Sequence, residues 1–93
     1  MKALPHAIAE ILAVDPFVSG ANLVLQVLSG ELDVGMILTT QEGEEWELTG
    51  FGFTSADDWE AKRFLIVAEP LNREGRQLRE RETLTCVYRD PRA

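Results

Sequence analysis

The sequence predicts a small, mainly β protein: a closed or partly open antiparallel β-barrel with a short N-terminal α-helix. Three observations lead to this fold class. The chain has 93 residues, which is enough for one domain with a small core. About six short segments rich in apolar, β-branched and aromatic residues follow one another closely. Glycines punctuate these segments, and closure into a barrel would remove the exposed strand edges of a flat sheet.

Residues 1–16 are predicted to form an N-terminal segment whose helix, Pro5–Val14, packs on a barrel of residues 17–93. Pro5 suits the first turn of a helix, and Asp15 is pushed out of the helical region by Pro16. The apolar residues in between fall on one face at helical spacing. This helix would cap an open end of the barrel or dock on a partner.

Five apolar segments are then predicted to be strands. The most informative link is residues 29–36, where Gly30 and Gly35 can take positive φ at little steric cost. Alternation within this link predicts that Leu32 and Val34 point inward. The predicted strands are Leu23–Leu28, Met36–Thr40, Trp46–Thr49, Arg63–Ala68 and Thr83–Tyr88.

Shorter signals punctuate these strands. Gly43 indicates a turn, and Gly50 inside an aromatic run indicates a bulge or sharp bend. Ser55 followed by Asp58 has the chemistry of a helix cap, which predicts one helical turn. Residues 72–75 read as a loop.

Charge is distributed unevenly along the chain. Residues 1–61 contain eleven acidic side chains and one basic, whereas residues 62–93 contain eight basic and five acidic. An acidic body repels phosphate, which argues against a broad nucleic-acid surface. The charges are either solvated faces or an acidic face that meets a basic partner.

The strand–turn–strand segment from Leu23 to Leu38 resembles the β-barrel second domain of translation GTPases such as elongation factor Tu. Residues 46–51, 62–69 and 78–84 follow in the order of the later strands of that family, so the resemblance spans roughly residues 17–88. It implies the same barrel and, as an alternative function, a translation-associated factor that contacts ribosome or tRNA. The sequence lacks a phosphate-binding loop, which excludes GTPase activity.

No catalytic residue, cofactor or metal site is predicted. With His6 as the single histidine and Cys86 as the single cysteine, an ordinary zinc set cannot be assembled. Cys86 is interpreted as a small buried hydrophobe. Two acidic clusters, at residues 44–47 and 57–60, are interpreted as solvated loops. A small enzyme that uses a pair of carboxylates remains the last alternative.

The preferred prediction is therefore a non-enzymatic binding or assembly module that acts through a protein partner or self-association. Its location is predicted to be cytoplasmic and not membrane-bound, because no secretory signal or membrane-length apolar run is present. Trp59, flanked by acids, is the aromatic residue expected to be partly exposed at an interface. The predicted interaction residues are Trp59, Asp57, Asp58, Glu44 and Glu45.

Overall fold

The computed structural model describes residues 6–52, 55–71 and 78–88 and shows a closed barrel of six antiparallel strands. Around the ring the strand order is β1-β2-β5-β4-β3-β6, and β6 pairs with β1 to complete it. The mainly β barrel predicted from the sequence is therefore confirmed. Its elements are β1 (Ala7–Phe17), β2 (Gly20–Gly30), β3 (Met36–Thr39), β4 (Glu45–Phe51), α1 (Ala56–Glu60), β5 (Arg63–Pro70) and β6 (Thr83–Tyr88).

The N-terminal helix is the part of the fold prediction that is wrong, because β1 occupies this region and belongs to the barrel. Ala7, Ala9 and Ile11 alternate into the interior, a period-two pattern that coexists with the helical spacing of the larger residues. An isolated helix of this length is marginal, whereas β1 pairs along its whole length with β2. Pro16 is tolerated because the pairing of β1 with β6 ends at Glu10, well before it.

The core is formed by alternate residues of all six strands, which meet inside the barrel. Cys86 is fully buried, as predicted, and burial raises the pKa of its thiol to about 12. Alanines at four interior positions leave room for the larger side chains, which suits a barrel of small diameter. The largest fully buried side chains are Ile11, Leu23, Leu25, Met36, Leu38, Leu48, Ile66, Leu84 and Cys86.

Closure also needs local bends. The register of β4 against β5 shifts between Leu48 and Gly50, which confirms the bulge predicted there. Gly30 and Gly35 have φ of 75° and 94°, as predicted for the link between β2 and β3. Leu32 packs against the core, but Val34 is exposed because it lies in a turn, where strand alternation does not apply.

The loop predicted at residues 72–75 lies outside the described residues. Within the described part of the chain, no helix is long and apolar enough to cross a membrane.

Candidate functional site

Three aromatic side chains surround a cavity of about 500 Å³ at one end of the barrel. β4 ends at Phe51, and Phe64 stands at the start of β5, so antiparallel pairing brings the two rings together. Their centroids lie 6.2 Å apart, and Trp59 of α1 approaches Phe64 at 5.2 Å. Both pairs are edge-to-face, which is a favourable arrangement for aromatic rings. We call Phe51, Trp59, Phe64 and the cavity that they line the aromatic mouth.

The short helix α1 fixes Trp59 over this cavity. Ser55 caps α1: its Oγ accepts a hydrogen bond from the backbone N–H of Asp58 at 3.1 Å and donates one to Asp58 Oδ2 at 3.0 Å. The helical turn predicted from Ser55 and Asp58 is confirmed. Arg63 Nε then donates to Asp58 Oδ1 at 3.0 Å and ties α1 to β5. Asp58 therefore positions the helix, and the bonds from Arg63 and Ser55 lower the pKa of its carboxyl.

The end of α1 is held by a second set of bonds. Gln26 Nε2, on β2, donates to the carbonyl oxygen of Ala61 at 2.8 Å. The backbone N–H of Val27 donates to the carbonyl oxygen of Lys62 at 2.9 Å, and Lys62 takes a left-handed φ of 59° to turn the chain into β5. α1 is therefore attached to both strands beneath it and presents Trp59 on a fixed platform.

Trp59 itself remains 65% exposed, as the sequence predicts, whereas the other tryptophan, Trp46, is buried at the far end of β4. Phe51 is 44% exposed and Phe64 is half-buried. A large aromatic side chain that packs against its neighbours on one side and faces water on the other is typical of a contact surface.

Acidic residues lie on the elements around the aromatic mouth. Glu31 lines the cavity, and Asp57 and Glu60 are exposed on α1. We call these three residues the acidic rim. Lys62 also lines the cavity, whereas Arg63 is engaged by Asp58. Among the described residues, this end of the barrel therefore carries more negative than positive charge.

Beyond Glu31, the link between β2 and β3 is tied to the end of β6. Tyr88 donates its hydroxyl to Asp33 Oδ2 at 3.0 Å, and this bond raises the pKa of Tyr88. His6 packs edge-to-face on the Tyr88 ring at 4.5 Å, and its Nδ1 accepts from the backbone N–H of Tyr88 at 3.4 Å. These contacts fasten the first and last strands together beside the mouth.

The structure does not bring the predicted interaction residues into one site. Glu44 and Glu45 lie at the start of β4, and the aromatic mouth lies at its end. The backbone of Glu44 closes the turn after β3: its N–H donates to Thr40 Oγ1 at 3.1 Å, and its carbonyl oxygen accepts from the N–H of Thr40. Trp59, Asp57 and Asp58 remain together on α1.

Sequence reasoning missed Phe51 and Phe64 as the partners of Trp59. Only the pairing of β4 with β5 brings Phe51 beside Phe64, the ring that Trp59 of α1 contacts. A signal existed in the sequence, because the capping residues that predict α1 stand between the two phenylalanines. A single helical turn between two predicted strands favours the pairing of those strands with each other, which brings the two phenylalanines together.

In residues 6–52, 55–71 and 78–88, no group of three histidine, cysteine or acidic side chains is arranged to hold a metal ion. Comparison of the chain with protein-family models found no match, and comparisons with curated proteins and with solved structures found no significant match.

Proposed function

We propose that this protein is a non-enzymatic binding module that recognises a protein partner through the aromatic mouth, and that it acts in the cytoplasm. The observation that carries the proposal is the exposure of Trp59 on a helix held at both ends by hydrogen bonds. A large apolar side chain on a fixed support loses little conformational freedom on binding, which favours affinity.

The energy available at this surface is large enough to matter. Trp59 leaves roughly 150 Å² of its surface in water, and burying it would contribute about 4 kcal/mol before the costs of association. Single residues that contribute about 2 kcal/mol or more dominate many protein interfaces. Trp59 alone therefore has the potential of a dominant contact, with Phe51 adding to it.

The alternative of a carboxylate-pair enzyme has less support. The two acidic clusters lie at opposite ends of β4, about 20 Å apart for a strand of this length. Asp58 is engaged by Arg63 and Ser55, and its pKa is lowered, which is opposite to the change that a general acid needs. These features favour a binding role for the α1 end of the barrel.

Affinity capture from cells with two matched variants tests the proposal. Trp59→Ala removes the exposed ring, and Val18→Ala removes an even more exposed side chain from the turn between β1 and β2 at the other end. We expect Trp59→Ala to lose proteins that the wild type and Val18→Ala both retain. Circular dichroism checks that both variants are folded.

Two results would contradict the proposal. One is an identical set of captured proteins for all three forms. The other is a wild-type protein that is strictly monomeric on size exclusion and captures nothing.

A further inference from the structure

We propose that the occupant of the aromatic mouth is a lysine or arginine side chain from a basic segment of the partner protein. This inference rests on the proposed function and adds the chemistry of the ligand. It comes from two observations together: perpendicular aromatic rings share one cavity, and the carboxylate of Glu31 lines that cavity while two further acidic residues are exposed on α1.

The geometry of the rings favours a cation with an apolar stem. The planes of Phe51 and Trp59 stand at 80° and 88° to that of Phe64, and all three rings line the cavity. The face of an aromatic ring attracts a cation, and the methylene groups of lysine or arginine pack on the same apolar surface. A cavity of about 500 Å³ has room for such a side chain.

The charges select the same ligand. Glu31 lines the cavity beside the rings, and Asp57 and Glu60 stand on the helix that carries Trp59. Lys62 also lines the cavity, and its positive charge opposes the binding of a cation. Arg63 opposes it less, because its guanidinium is paired with the carboxylate of Asp58. A basic segment would meet the acidic rim favourably, whereas an acidic segment would be repelled.

A second copy of the chain fits less well. The whole chain has a net charge of −7, so two copies repel each other on balance, although residues 62–93 carry eight basic side chains. Like charges facing each other oppose association. Self-association through this surface is therefore an outcome that the test must be able to report.

Titration with short peptides, followed by nuclear magnetic resonance of the two tryptophan indole N–H groups, tests the inference. The probes are acetylated, amidated peptides of sequence GSKKKSG, the same peptide with norleucine for each lysine, and the same peptide with glutamate for each lysine. Norleucine keeps the apolar stem and removes the charge. Trp46, buried at the other end of the barrel, is the internal reference.

The lysine peptide is expected to shift the Trp59 signal and leave Trp46 unchanged. The norleucine peptide should bind about 3- to 10-fold more weakly, as loss of a cation–π contact predicts. The glutamate peptide should leave the Trp59 signal unchanged. Higher salt should weaken binding of the lysine peptide.

Three variants make the test specific. Glu31→Gln should weaken binding of the lysine peptide. Glu69→Gln, the same change of charge at an exposed position near the other end of β5, should have a smaller effect. Lys62→Gln should strengthen binding, because a competing positive charge is removed. Trp59→Phe should weaken it while the barrel remains folded.

Several results would overturn the inference. Equal or tighter binding of the norleucine peptide would show that the mouth takes apolar residues, and the proposed binding function would survive. Absence of any Trp59 shift at millimolar peptide, a weakening by Lys62→Gln, or dimerisation that Trp59→Phe abolishes would each remove the cationic ligand. The capture experiment tests the binding function independently, because it does not depend on the charge of the partner.

Discussion

Replacement of Gly30 by alanine should destabilise the barrel far more than the same change at Gly43. Both glycines have positive φ, 75° and 88°, so both substitutions force an alanine into the left-handed region. They differ in their surroundings. A Cβ at Gly30 would collide with the carbonyl oxygen of His6 and lie 2.8 Å from the Cα of Ala7, whereas a Cβ at Gly43 meets nothing within 4 Å.

Comparison of the two variants therefore separates the cost of a left-handed backbone at alanine from the cost of steric conflict with β1. The left-handed conformation costs a non-glycine residue about 1–2 kcal/mol, and this is the whole effect expected at Gly43. At Gly30 the new methyl group faces the backbone of β1, which cannot rotate away as a flexible side chain would. Overpacking of this kind adds about 1–3 kcal/mol, for a total near 3 kcal/mol.

Urea and thermal unfolding of the two variants measure the difference. In a domain of this size each kcal/mol lowers Tm by about 4–8 °C, so Gly30→Ala should lose about 12–24 °C and Gly43→Ala about a third to two thirds of that. If the unfolding free energies of the two variants agreed within about 0.5 kcal/mol, the close approach of β1 to Gly30 would carry no energetic weight and the reasoning would fail.

Further predictions concern the core, the α1 end and the thiol. Leu48→Ala, at a fully buried position, should lower the free energy of unfolding measured in urea by about 2–5 kcal/mol. Val34→Ala, at an exposed position, should lower it by less than about 0.5 kcal/mol, and equal losses for the two variants would contradict the assigned core. The pKa of Asp58 is lower in the folded protein than its usual value of 3.8. The ionised carboxylate therefore stabilises the fold at a pH above 3.8, and this contribution is lost as the pH falls through the lowered pKa of the folded state. The difference in urea midpoint between wild type and Asp58→Asn should therefore shrink from pH 6 to pH 2.5, and a constant difference would refute the ion-pair role. Burial raises the pKa of Cys86 from 9.0 to about 12, so the native thiol should resist Ellman's reagent at pH 8 and react only on unfolding. Stability should also fall as the pH rises from 9 towards 12, because only the unfolded thiol ionises readily there.

Much of the barrel could be predicted because its strands carry local signals. Apolar runs, the glycines at 30 and 35 and the bulge near Gly50 are all consequences of short-range backbone chemistry. β1 was missed because its larger apolar residues have helical spacing, whereas the residues that reach the core are mainly alanines. Only its pairing with β2 and β6 decides between the two conformations, and pairing is not a local property.

The candidate site shows the same division. The exposure of Trp59 followed from its acidic neighbours, and the capping chemistry of Ser55 and Asp58 indicated α1. The cavity beneath Trp59 could not be predicted, because it forms only when β4 pairs with β5 and brings Phe51 against Phe64. Glu44 and Glu45 looked equivalent to the acids of α1 in the sequence, but the length of β4 separates them.

The pairing of β1 with β6 has a consequence for the synthesis of this protein. Ala7 lies opposite Cys86, so the ring needs a contact between residues almost at opposite ends of the described chain. A nascent polypeptide that still lacks its last strand would leave the free sides of β1 and β3 without their final neighbour. The domain can therefore complete its fold only after β6 has been translated, and termination before β6 would yield a product prone to aggregate.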